Sequence, residues 1–158
     1  MDDFPPEILA LFDELNSRKV RYMVVGMASA IMQGVPATTQ DIDVWFEHYS
    51  DPGVLEAVQS VGGMLAWRAS PPAITGSKAL DMIDVVTRCS GLGTFEDEYR
   101  GVATLEHEPT GTIIPVLPVD RVLASKRAAD RPKDRLAIVV IEDSLHVVKR
   151  RSPGRKRS

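Results

Sequence analysis

The sequence predicts one α/β domain, a short mixed β-sheet with helices packed against it, and three observations carry that expectation. Short β-prone apolar runs recur at 20–25, 41–46 and 80–87, bounded by glycines or polar loops. Between them, and again at the end of the chain, apolar residues fall at helical intervals. The 158 residues, 44% of them hydrophobic, leave room for one core and not for two.

Taken in order, Pro5 and Pro6 suit a first helical turn, where an N–H would be unpaired in any case. Ile8, Leu11, Phe12 and Leu15 then follow at helical spacing, predicting a helix to about Asn16. The run 20–25 is a strand ending at Gly26, and 27–33 is a helix closed by Gly34. Beyond the loop at Thr38 and Thr39, residues 41–46 alternate. Ile42, Val44 and Phe46 share one face of that strand, Asp41 and Asp43 the other. A helix over 52–61 stops at Gly62 and Gly63; a strand over 64–68 and a loop with Pro71 and Pro72 follow, and 80–87 reads as one strong strand. Residues 90–94 form a loop, 95–99 a helical turn, and 103–106 and 112–116 two short strands. Helices over 119–129 and 132–145 complete the domain, with Pro132 well placed to open the second.

Composition removes several classes of function. The lone Cys89 has neither a disulfide partner nor the spacing of a zinc site, and reads as a buried small apolar residue. No apolar stretch is long enough to span a bilayer, and the amino terminus carries two aspartates in place of a basic region, so a cytoplasmic location without membrane contact is expected. Six of the nineteen basic residues lie in 149–158; setting them aside takes the net charge from -3 to -9 for 1–148. The expected organisation is therefore a folded domain over 1–148 and a basic, disordered tail over 149–158, suited to an acidic partner or RNA.

Chemistry concentrates on the carboxylates. Asp41 and Asp43, two apart on a strand, project from one face, and leaving both ionised and unpaired is unfavourable. A divalent cation resolves the repulsion, and hard oxygen donors favour Mg2+ or Mn2+, which bind through a few carboxylates plus substrate phosphates. Asp84, in the second β-prone run, adds a third carboxylate if the two strands are neighbours. Gly26 ends a strand and opens a helix upstream of the pair, a turn that suits a phosphate group. Together these residues point to a nucleoside triphosphate and a metal.

The stretch VVGMASAIMQGVPATTQDIDVWFE resembles the motif of the polymerase-β-like nucleotidyltransferase superfamily, a glycine-led turn and helix followed by an Asp-x-Asp strand. DVVTRCSGLGTFEDEY and LPVDRVLASKRAADRPKDRLAIVVIED extend the likeness to minimal bacterial members of that superfamily, a group that includes toxin and antitoxin components such as abortive-infection nucleotidyltransferase toxins. The resemblance implies a nucleotidyltransferase fold with Gly26 as the phosphate-loop glycine. Asp41 and Asp43 become metal ligands and Asp84 the base or a further ligand, with Asp81 its competitor. It further implies that Lys126 and Lys133 approach phosphate. Met27 stands where many members carry a second Gly or a Ser, with Ser29 as the substitute hydroxyl, and 37–39 replace an Arg that often precedes the acidic strand.

The activity implied is metal-dependent transfer of a nucleoside monophosphate from a triphosphate to a hydroxyl on RNA, protein or a small molecule, in a toxin–antitoxin setting. The alternative is a binding or regulatory protein, antitoxin-like, that keeps the fold with weakened turnover.

Overall fold

The computed structural model describes residues 4–151, with side chains as far as 146. Its centre is β1 (Tyr22–Val25), whose four residues are all buried because both faces of the sheet are covered. β1 pairs antiparallel with β2 (Ile42–Phe46) and parallel with β7 (Thr112–Val116). β5 (Ile83–Val86) lies parallel to β2 on one edge, and β6 (Ala103–His107) antiparallel to β7 on the other. The five-stranded mixed sheet has the order β5-β2-β1-β7-β6; β3 (Met64–Ala66) and β4 (Ala73–Thr75) form a separate two-stranded sheet. The α/β expectation therefore holds.

Alternation along the central strands divides the core in two. Tyr22 and Val24 of β1 join Ile42, Val44 and Phe46 of β2 beneath α1 (Pro6–Ser17) and α3 (Pro52–Ser60). Met23, Val25 and Trp45 face the opposite side, packing with Phe95 of α4 (Phe95–Tyr99), Leu123 of α5 (Val119–Ala129) and Ile141 of α6 (Pro132–Arg151). Asp43 shares that second face with Trp45. Short α2 (Gly26–Met32) spans the two layers, giving Ala28 and Met32 to the first and Ala30 to the second.

Local signals explain where the helices begin. Asp51 caps α3 by accepting from Gly53 N at 2.8 Å. Thr94 and Asp97 form a reciprocal capping box on α4. α5 ends where Asp130 turns left-handed, at φ 48°, before Pro132 opens α6.

Three expectations change. The strand expected over 80–87 starts only at Ile83, because Leu80–Met82 is a 3-10 turn with Leu80 anchored in the first core layer. The strand over 64–68 stops at Ala66 and pairs with β4, a strand that follows directly on the loop holding Pro71 and Pro72. α6 continues to Arg151, so the first three residues of the expected tail are helical, while 152–158 lie outside the described residues. No helix among the described residues is long and apolar enough to cross a membrane.

Candidate functional site

The strand register builds the site. β2 and β5 pair in parallel with Asp43 opposite Asp84, and β1 and β2 pair with Val25 opposite Asp43. Residues paired across neighbouring strands point to the same face, so both acids and the residue before Gly26 meet on the second layer. Asp41 precedes β2 by one residue. Thr39 fixes it, its hydroxyl donating to Asp41 O at 3.0 Å and accepting from Asp41 N at 3.3 Å.

Gly26 has φ +63°, and a Cβ placed there would stand 2.6 Å from Asp43 Oδ2. Only glycine tolerates both the left-handed backbone and so close a carboxylate. The chain thereby passes directly over Asp43 as it turns into α2, an approach that leaves the acid beside bare backbone.

These groups line an open cleft of about 560 Å³ that also takes residues from the last two helices. Asp41, Asp43, Asp84 and Gly26 stand on the sheet side, while Lys126 of α5 and Arg131 and Lys133 around the start of α6 bring basic groups to it, together with a fourth acid, Asp134. Burial and the neighbouring Asp84 raise the Asp43 carboxyl above the ordinary carboxylate range, with Lys126 and Lys133 opposing the shift. Asp134 behaves oppositely. Its hydrogen bonds from Arg131 and the nearby Lys126 charge outweigh burial and lower it to about 2.

Six of the seven expected site residues meet here: Gly26, Asp41, Asp43, Asp84, Lys126 and Lys133. Ser29 does not. It is fully buried, its hydroxyl donating to Leu117 O and accepting from Gln33 Nε2, so it cannot replace the hydroxyl missing at Met27. Met27 reaches the cleft edge while packing on the second core layer. Asp81, on the 3-10 turn, accepts from the Thr75 hydroxyl at 2.7 Å and is not among the cleft residues. Asp84 is thus the third acid of the cleft. Cys89 is half-buried at the cleft wall, and burial together with Asp43 pushes its thiol up to about 12, far from a reactive thiolate.

Sequence reasoning missed Arg88, Arg131 and Asp134 as cleft residues. Arg88 carried no readable signal, because the loop after β5 reaches α5 through a tertiary contact: Gly91, at φ +72°, packs so tightly on Ala128 that a Cβ would stand 2.4 Å from that methyl. Arg131 and Asp134 did carry one, since an acid three residues after a helix-capping position commonly bonds back to it.

The donor set suits a hard cation. The sheet side of the cleft gathers three of its four carboxylates, and the ionised form of Asp43, disfavoured by burial and Asp84, would be relieved by a positive charge. Among the described residues no three His, Cys, Asp or Glu side chains are drawn together into a metal cage. A cation here would need phosphate or water oxygens to complete its shell.

This five-stranded mixed sheet with flanking helices is a nucleotidyltransferase-like fold. The chain aligns with the crystal structure of ANT(2")-Ia in complex with adenylyl-2"-tobramycin at a TM-score of 0.57 and 14% identity, covering 90% of this chain and 89% of that one. The solution structure of the antibiotic-resistance factor ANT(2'')-Ia aligns at 0.55 and 14%, covering 88% and 82%. No protein-family model matches the sequence, and no curated protein resembles it significantly.

Proposed function

We propose that the chain is a metal-dependent nucleotidyltransferase that moves a nucleoside monophosphate from a triphosphate to a hydroxyl. The observation that carries this reading is the pairing of Asp43 with Asp84 in a cleft whose other wall presents Lys126 and Lys133. Asp41, Asp43 and Asp84 would hold Mg2+ or Mn2+, which neutralises phosphate charge and favours ionisation of the attacking hydroxyl. Gly26 lets the backbone stand beside the phosphates without a side chain between. Lys126 and Lys133 oppose the negative charge that builds as the oxygen–phosphorus bond forms and pyrophosphate leaves. Asp84 is the carboxylate on hand to receive the hydroxyl proton. An RNA or protein acceptor, in a toxin–antitoxin setting, follows from the sequence resemblance.

Incubation with labelled nucleoside triphosphates, magnesium and a panel of RNA, protein and small-molecule acceptors tests the proposal. Transfer should occur and should fall about a thousandfold or more in Asp43→Ala. Transfer that persists in Asp43→Ala would sink it. The buried Ser29 hydroxyl favours a second reading, a nucleotide-binding regulatory protein with weakened turnover; magnesium-dependent nucleotide binding without transfer to any acceptor would support that one instead.

A further inference from the structure

The α5–α6 junction contains a carboxylate that the transfer chemistry above leaves unused. Asp134 is fully buried, yet it lies at the cleft. Buried carboxylates are retained in folded proteins when both oxygens are satisfied, and here they are. Asp134 Oδ2 accepts from Arg131 N at 3.1 Å and from Arg131 Nε at 2.7 Å, while Oδ1 accepts from Arg131 Nη2 at 3.2 Å. The same Oδ1 stands 3.4 Å from Lys126 Nζ on the preceding helix. Those two cations differ in their surroundings. Arg131 is more than half exposed at 55%, whereas the Lys126 side chain is only 17% exposed and has no other ion pair among the described residues.

A lysine carries four rotatable bonds and loses about 2 kcal/mol of rotamer freedom when it is fixed, so an ammonium left alone at a cleft wall would sample many positions. Capping α6 requires only the bond to the Arg131 backbone. The further ion pair with Lys126 lies between α5 and α6 and leaves ammonium hydrogens available to another acceptor. Its charge also acts on Asp43 across the cleft.

We propose that Asp134 is the positioning residue of the site, holding the Lys126 ammonium at the α5–α6 junction in the place where it meets a phosphate of the bound triphosphate. This rests on the nucleotidyltransferase reading above, although the contact between Asp134 and Lys126 does not. Asp134 itself touches no substrate. Its effect passes through Lys126, and that dependence separates a positioning role from a helix cap.

The test uses magnesium tripolyphosphate, which carries the charge of a triphosphate without base or sugar, titrated calorimetrically into the full chain. Lys126→Ala and Asp134→Asn should each weaken binding about tenfold, the cost of one misplaced charge-assisted hydrogen bond. In the Lys126→Ala background, Asp134→Asn should then add less than about twofold, because coupled residues are not additive. Equal tenfold losses in both backgrounds would overturn the inference and leave Asp134 a cap. Should Asp134→Asn not fold, the wild type decides. A held ammonium gives a slowly exchanging 1H–15N signal, assigned by its disappearance in Lys126→Arg, and absence of that signal overturns the inference. A wild type that shows the signal and fails to bind tripolyphosphate keeps the contact but overturns the phosphate role, and with it the reading of the site.

Discussion

The two walls of the cleft each place an aspartate in a buried setting, and the two aspartates respond in opposite ways. Asp43 sits on β2 beside Asp84, where burial and like charge push its carboxyl upward. Asp134 has no solvent-exposed surface, yet Arg131 and Lys126 draw it down to about 2. Burial alone therefore does not determine the outcome. Donors around an acid favour its charged form, and a second acid beside it disfavours that form.

The backbone beneath Asp43 is where this contrast breaks with the largest effect on stability. Gly26→Ala forces a left-handed residue against a carboxylate oxygen and should cost about 2–4 kcal/mol by thermal or urea unfolding. Gly62→Ala, at φ +81° with open space around its Cβ position, meets only the backbone strain, about 1 kcal/mol. Equal losses at the two glycines would show that Asp43 does not constrain the turn.

Asp134→Asn comes next. A carboxyl lowered from 3.8 to about 2 on folding contributes about 2 kcal/mol, present above the unfolded value and lost as pH falls through the folded one. Unfolding at pH 7 should show that cost, shrinking steadily below pH 4. Asp43→Asn should have the reverse sign. Its raised folded value means that stability is lost as pH rises above the unfolded value, so the amide should melt higher than wild type at neutral pH without divalent ions. The gap should close on acidification, when the wild-type carboxyl is protonated. A lower melting temperature for Asp43→Asn at pH 7 would show that favourable contacts outweigh the repulsion.

The smallest effect belongs to Asp81, the acid excluded from the cleft. Asp81→Asn should change transfer by less than about twofold, whereas the same change at Asp84 should abolish it. A large loss at Asp81 would reverse the assignment of the third acid.

Much of this was legible in order along the chain. Ile42, Val44 and Phe46 alternate with Asp41 and Asp43 because a strand covered on both faces still separates its side chains by period, and the structure keeps that division. The helices carried capping and proline signals at their starts. The expected strand over 80–87 failed at its first three residues, since an apolar run bounded by polar residues does not reveal whether Leu80 points into a core from a strand or from a turn. Ser29 failed for a related reason: a hydroxyl on a short helix bonds to whatever carbonyl packs above it, and that carbonyl, Leu117 O, lies 88 residues away.

By itself the sequence determined the chemistry on offer, a glycine turn, an acidic pair on an alternating strand and a later acid and lysines, because period and turn preference act within a few residues. Tertiary structure decided their assembly. Parallel pairing of β2 with β5 chose Asp84 over Asp81, the packing of Gly91 on Ala128 brought Arg88 to the cleft, and the contact between Asp134 and Lys126 joined α5 to α6. The first two depend on contacts between distant segments, which form only when the chain has closed around its two core layers, and the third on how two consecutive helices pack.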